Sequence, residues 1–168
     1  PGDNLMIHKA ITMAEPGDVL IIDCDGYTGT GHVGEIMCTS CQANGLAGLV
    51  IDGGYRDSRE LRELNFPVYG RGVNPKGPLK QDPGSINTTI SCGGVTVNPG
   101  DIVVDDDDGS AVIPHEGAEE VLERAREKLT AEADTREEIQ DGDYLFEVKG
   151  YNKLFEELSA VGPEDSVQ

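Results

Sequence analysis

Glu35 is separated by twenty residues from Arg56, and Asp57 follows Arg56 directly. Arg56 offers a planar fork suited to a carboxylate or keto acid. Asp57 offers a hard oxygen ligand of the kind that Mg²⁺ or Mn²⁺ takes. Brought to one place, a proton-handling carboxylate, a guanidinium and a cation-binding carboxylate are equipment for stabilising an enolate. The plainer alternative is that Arg56 and Asp57 cap a helix and pair on the surface. Gly29-Thr30-Gly31-His32-Val33-Gly34 lies just before Glu35 and matches the G-x-G-x-x-G pattern of dinucleotide loops, with Asp52 where a ribose-binding acid belongs. In a dinucleotide fold, however, the first glycine follows the strand at once, and here Cys24 to Thr28 intervene. What survives is a loop that lets backbone come close and leads into helical N–H groups, a seat for a small anion such as a carboxylate.

The elements that must position these groups follow from periodicity. Leu5, Ile7, Ile11 and Met13 predict a short helix over 4–14, with Asp3 or Asn4 as cap and Pro16-Gly17 as its end. Val19 to Ile22 is a continuous apolar run, a buried strand. Glu35 to Asn44 has helical spacing with Gly45 as its stop. Leu46 to Ile51 is a second buried strand, ended by Asp52 and a Gly53-Gly54 turn. Strand, helix, strand implies a parallel pair, and that unit brings Glu35, Arg56 and Asp57 to the same end of the sheet. A helix through Leu64 and an extended segment at Pro67-Val68-Tyr69 follow. Residues 70–113 are rich in Gly, Pro and β-branched residues, and 86–91, 94–97, 102–104 and 111–113 read as antiparallel strands. A long helix over 116–139 follows, with Val121, Leu122, Ala125 and Leu129 as its apolar stripe.

Several separate motifs, in order, carry a resemblance: Glu35-x20-Arg56-Asp57, Pro16-Gly17-Asp18-Val19-Leu20-Ile21-Ile22-Asp23, Gly48-Leu49-Val50-Ile51-Asp52-Gly53, Phe66-Pro67-Val68-Tyr69, and Ser91-Cys92-Gly93-Gly94-Val95 with Pro99-Gly100-Asp101. From residue 1 to about 138 the chain resembles the RraA-like family. That family is named for a regulator of ribonuclease E activity and includes divalent-metal 4-hydroxy-4-methyl-2-oxoglutarate / 4-carboxy-4-hydroxy-2-oxoadipate aldolases. The resemblance implies an α/β fold, a swivelling α-β-β-α sandwich, assembled into homotrimers or hexamers with the site between subunits. It implies that the amides of Gly34, Glu35, Ile36 and Met37 hold the pyruvoyl carboxylate, that Arg56 contacts the keto and enolate oxygens, and that Asp57 carries Mg²⁺ or Mn²⁺. Glu35 takes the position of an acid that bonds water on the metal and moves protons. The implied function is a class II lyase that cleaves a pyruvate-yielding 4-hydroxy-2-oxo acid or decarboxylates oxaloacetate through the same enolate. The alternative is a non-catalytic regulator of a ribonuclease or another enzyme.

The chain departs from that pattern. The aldolases carry Asp where Glu35 stands, and Glu60 completes an R-D-x2-E pattern as a substitute acid behind the site. The N-terminal part of the usual domain is expected to precede Pro1, and Pro1-Gly2-Asp3 reads as a turn inside a longer protein. Residues 1–140 are taken as the RraA-like domain and 141–168 as an acidic extension. Glu132, Glu137 and Glu138 are the candidates for an acid lent to a neighbouring subunit. Arg71 and Lys76 read as ordinary loop charges, with lining the site entrance as the lesser option. His32 is an option for touching ligand, while His8 and His115 read as surface or cap residues.

Composition sets the outer limits. The 168 residues carry 13 Lys+Arg against 32 Asp+Glu, a net charge of -19. A chain of this length buries roughly 70% of its unfolded surface, enough for a true core. So acidic a surface repels phosphate backbones and anionic lipid, so neither nucleic acid nor membrane is an expected partner. The longest apolar run, 46–51, falls far short of the ~20 residues of a membrane span. With no secretory signal, the four cysteines read as reduced thiols in a cytoplasmic protein, and Cys38-Thr39-Ser40-Cys41 as small buried residues on a helix rather than a redox or metal pair. Residues 115–168 hold 16 of the 32 acids, and there are only six Lys beside seven Arg. An acid-rich, lysine-poor surface is what salt adaptation produces. Stability followed from low to molar salt should therefore rise, and indifference to salt would remove that reading.

Overall fold

The computed structural model describes residues 2–82 and 84–159. Pro1, which belongs to the expected opening turn, and residues 160–168 of the expected extension lie outside them. The chain divides into two compact units, Pro1–Ala118 and Glu119–Gln168. In the first, α1 (Leu5–Ile11) is followed by β1 (Val19–Tyr27), α2 (Glu35–Ala43), β2 (Gly48–Tyr55), α3 (Ser58–Leu64) and β3 (Val68–Val73). The three strands form one parallel sheet ordered β1-β2-β3, with Val19 opposite Gly48 and Leu49 opposite Val68. Alternation along β2 explains the layering. Leu49 and Ile51 point to one face, where they are almost wholly buried with Met37, Cys38 and Cys41 of α2, Leu61 of α3 and Phe66. Truncating either to alanine removes roughly 3 kcal/mol.

Antiparallel hairpins follow, β4 (Ile90–Cys92) with β5 (Val95–Val97) and β6 (Ile102–Asp106) with β7 (Gly109–Ile113). The expected α/β class, with a parallel unit, an antiparallel region and a long C-terminal helix, is the observed one. Several boundaries differ. Strand β1, expected to end at Ile22, runs to Tyr27, so only Thr28 separates it from Gly29. The strand expected over 86–91 begins only at Ile90, because Asn87 sits at φ 53 and breaks the extended run. Strand β2 does not end at Asp52 in a Gly-Gly turn but runs through Gly53 and Gly54 to Tyr55. Its extension has hydrogen-bond partners because the glycine-rich loop lies alongside. His32 N–H donates to Gly54 O, Arg56 N–H donates to Val33 O, both at 2.9 Å, and Val33 bridges Tyr55. Glycine is needed there for approach rather than dihedral: a Cβ on Gly54 would stand 2.5 Å from Thr30 O.

On the other face of β2, Asp52 meets the first hairpin. Asp52, buried, accepts both Nε and Nη2 of Arg71 on β3, and its Oδ2 also accepts Gly93 N–H at 2.8 Å. Arg71 is therefore a strand residue paired across the sheet, not a loop charge. Tyr69 donates its hydroxyl proton to Asp106 O at 2.9 Å and ties β3 to the second hairpin.

The second unit is helical. A 3₁₀ turn at His115–Gly117 leads into α4 (Ala118–Gln140), followed by α5 (Leu145–Val148) and α6 (Tyr151–Ser159). Phe146 packs edge-on against Tyr151 and Phe155, and Lys149 donates to Thr135 Oγ1 at 3.0 Å. None of these helices contains a fully buried residue. The 120–124, 128–132 and 153–157 ion pairs are exposed and contribute little each. Among the described residues no helix is long and apolar enough to cross a membrane.

Removing one partner of a buried charge leaves the other short of bonds. Arg71→Met keeps the stem and deletes the fork, and should lower the urea midpoint of unfolding. No loss would show that the pair does not hold the layers together.

Candidate functional site

The site grows from the end of β2. Arg56 leaves the strand with its amide on Val33 O, and its Nη1 donates to Gly31 O at 2.6 Å, so the guanidinium is tethered across the loop. Asp57 follows in the left-handed region, φ 59 and ψ 37. Aspartate tolerates this region better than most residues. Although Asp57 is the N-cap of α3, its side chain makes no cap bond to that helix. It turns instead to α2, where Oδ2 accepts Glu35 N–H at 3.0 Å and lies 3.6 Å from Arg56 Nε. With Asp57 40% exposed, this contact contributes about 1 kcal/mol. Gly34, the N-cap of α2, makes room for it: a Cβ there would collide with Asp57 Oδ2 and stand 2.8 Å from Arg56 Nε.

Arg56, Asp57 and the first amide of α2 are thus brought together, as the β-α-β spacing implies. The Glu35 carboxylate is turned along its own helix, where it accepts the Thr39 hydroxyl at 3.1 Å. Ile36 is exposed, and Met37 is buried with its Sδ facing Asn4 Nδ2 at 3.4 Å. The N–H groups of Ile36 and Met37 have no protein acceptor among the described residues. Glu60 lies exposed in the first turn of α3 and, among those residues, bonds to none of Glu35, Arg56 or Asp57. Lys76 contributes backbone: its carbonyl accepts Gly31 N–H at 2.9 Å, while Asn74 Nδ2 donates to Thr28 O. Residues 74–76 are in effect a strap over the glycine loop. Glu132, Glu137 and Glu138 lie on α4 in the second unit. A cavity of about 880 Å³ between α1, β1 and segment 84–103 includes neither Arg56 nor Asp57.

The Aldolase/RraA family model matches residues 1–112. The chain belongs to the RraA-like family. It is 43% identical over 140 residues to a Halalkalibacterium halodurans protein named "Putative 4-hydroxy-4-methyl-2-oxoglutarate aldolase", covering 83% of this chain and 67% of that one. A crystal structure of an uncharacterized protein from Pseudomonas syringae pv. tomato superposes with a TM-score of 0.75 at 30% identity, over 83% of this chain and 70% of that one. The Streptomyces coelicolor RraAS2, described as an unusual member of the RNase ES inhibitor RraA protein family, superposes with a TM-score of 0.72 at 32% identity, over 77% and 67%.

In this RraA-like chain no three His, Cys, Asp or Glu side chains among the described residues converge into a metal cage. The fit is instead to a hard, mostly hydrated cation. Asp57 Oδ1 is not bonded among the described residues, and one unbonded oxygen of a partly exposed carboxylate suits Mg²⁺, which keeps several waters and completes its shell with substrate oxygens. The cysteines of α2 serve the core. Cys38 and Cys41 are wholly buried, and burial pushes their thiols up to about 12 and about 11.

His32 does not face a ligand at Arg56. It is fully buried; Gly2 N–H donates to its Nε2 at 3.2 Å, so Nδ1 carries the proton and donates to Gly54 O at 3.2 Å. It pins the loop to β2. Burial holds it below the usual histidine range, against the pull of the Gly54 carbonyl. The unfolded chain titrates near 6.5. Below that pH the unfolded state takes up a proton that folded His32 resists, and stability falls. His8, also lowered by burial, adds to the slope. His32→Gln should therefore flatten the dependence of urea stability on pH between about 7 and 5, and an unchanged slope would assign it elsewhere.

Proposed function

We propose that this protein is a divalent-metal-dependent lyase acting on a pyruvate-yielding 4-hydroxy-2-oxo acid, by retro-aldol cleavage, by decarboxylation of oxaloacetate, or both. The observation that carries the reading is the convergence of Arg56 and Asp57 on the N-terminus of α2, where Asp57 Oδ2 meets Glu35 N–H at 3.0 Å. The name of the 43% identical relative supports it. Asp57 would hold Mg²⁺ or Mn²⁺, which when bound supplies Lewis acidity toward the 2-oxo oxygen and lowers the pKa of water.

The chain's own groups do the rest. The Ile36 and Met37 amides hold the 1-carboxylate at the positive end of α2. Arg56, tethered to Gly31 O, donates to the 2-oxo oxygen and gains strength as that oxygen takes up charge. In the retro-aldol direction the 4-hydroxyl loses its proton, the C3–C4 bond breaks, C4 becomes a carbonyl and the electron pair forms the pyruvate enolate. Decarboxylation breaks C3–CO₂ to the same enolate, which is then protonated at C3. Glu35, one methylene longer than the aspartate of the aldolases, receives and returns these protons once its carboxylate leaves Thr39. Assembly into trimers or hexamers, with Glu132, Glu137 or Glu138 lent by a neighbouring copy, belongs to the same proposal.

A second reading, a non-catalytic regulator of a ribonuclease or other enzyme, is favoured by the likeness to RraAS2 and by the acidic helices α4 to α6. Purified chain with Mg²⁺ or Mn²⁺ should release pyruvate from oxaloacetate or a 4-hydroxy-2-oxo acid. Asp57→Ala and Arg56→Lys should each cut the rate by roughly 100-fold or more. If no keto acid in a broad panel yields pyruvate while the chain captures a basic partner enzyme and inhibits it, the regulator reading replaces the lyase.

A further inference from the structure

The Asp57 carboxylate occupies one donor at the mouth of α2, the Glu35 N–H, beside the Ile36 and Met37 amides that the proposed substrate carboxylate needs. Its Oδ2 takes the first free N–H of α2 at 3.0 Å and sits 3.6 Å from Arg56 Nε. Gly34 leaves the cradle in which that oxygen rests, since a Cβ would fill it. The backbone is committed to this placement: Asp57 holds φ 59, and its side chain leaves its own helix α3 uncapped to close α2. Its other oxygen is unbonded among the described residues, and the side chain is 40% exposed.

We propose that Asp57 is an internal plug of the anion seat, a positioning residue that exchanges the Glu35 amide for the cation. Without a divalent cation, Oδ2 competes with any incoming carboxylate for the mouth of α2. When a cation engages Asp57, the carboxylate leaves Glu35 N–H, and that amide joins the unbonded amides of Ile36 and Met37 beside Arg56. Cation and substrate carboxylate are then coupled through the protein, independently of any direct contact between them. The direction follows from charge: a carboxylate neutralised by a divalent cation is a weaker partner for the positive helix N-terminus. This inference rests on the lyase reading for the identity of the seat, though its test needs no turnover.

The probe is acetate, a monocarboxylate without the 2-oxo group that would chelate a metal. The reporter is the amide resonances of the full chain, followed by NMR in EDTA and in Mg²⁺. Mg²⁺ alone should shift the Glu35 N–H resonance, and acetate should bind the Mg²⁺ form more tightly than the EDTA form. In EDTA, Asp57→Ala should bind acetate roughly 5-fold more tightly than the parent chain, the factor equivalent to about 1 kcal/mol, and should lose the Mg²⁺ effect. Asp57→Asn removes the same charge yet keeps an oxygen for Glu35 N–H, so it should gain less than the alanine variant. Equal gains would mean charge alone and overturn the plug, as would a Glu35 N–H resonance indifferent to Mg²⁺, which needs no variant to fold. A chain that releases pyruvate while that amide stays put keeps the lyase and loses the plug. One whose amide responds while no keto acid is cleaved loses the lyase and keeps the plug.

Discussion

Everything at the candidate site depends on one close backbone approach, that of the glycine-rich loop against the last residues of β2. Had Gly53 and Gly54 carried side chains, the loop could not lie alongside: Cβ atoms there would meet Cys24 Cβ at 2.8 Å and Thr30 O at 2.5 Å. With the loop in contact, β2 gains the partners to run on to Tyr55, His32 is buried beneath it, and Gly31 O becomes the acceptor that orients Arg56. The arrangement has a cost in the unfolded state, where each glycine has more conformations to lose. The bonds from His32, Arg56, Asn74 and the Lys76 carbonyl offset that cost and hold the loop from both sides.

The two faces of β2 divide the work. One carries Leu49 and Ile51 into an apolar layer with α2 and α3, which positions the α2 N-terminus relative to the strand end. The other carries Asp52, whose carboxylate is held below the usual range by the Arg71 fork and then the Gly93 amide. A charge this buried is stabilising only while its partners stay in place, so the hairpins are docked by a polar contact with defined geometry. At Asp57, half-exposed, the same chemistry of carboxylate, arginine and amide makes a weak contact suited to exchange. Burial is the difference between a fastening and a movable part.

Much of this was legible in the chain. Apolar runs at 19–22 and 46–51 around a helical 35–44 predicted a parallel unit, and the arithmetic from Glu35 to Arg56 placed the two at one end of it. The Asp52–Arg71 pair was not legible, because a single acid in a strand looks the same whether its partner is water or a guanidinium nineteen residues on. Neither was the strand character of Gly53 and Gly54, since glycine pairs signal turns unless another backbone arrives to bond them, and that backbone comes from the loop of residues 28–34. The direction of the Glu35 carboxylate, toward Thr39, depends on a rotamer choice that spacing does not encode.

The bonds that shape the site are short in sequence. Glu35 to Asp57 spans 22 residues and Arg56 to Gly31 spans 25, whereas Asn74 to Thr28 spans 46 and Asp82 to Asp3 spans 79. Closing the longest of these loops costs about 1 kcal/mol more in chain entropy than closing the first. Chain entropy therefore favours closing the arginine, the aspartate and the helix mouth, which need only β1, α2 and β2, over the ties to α1. On the same arithmetic, the tie between Asp3 and residues 81–82, which closes the longest loop, costs the most chain entropy to re-form once opened.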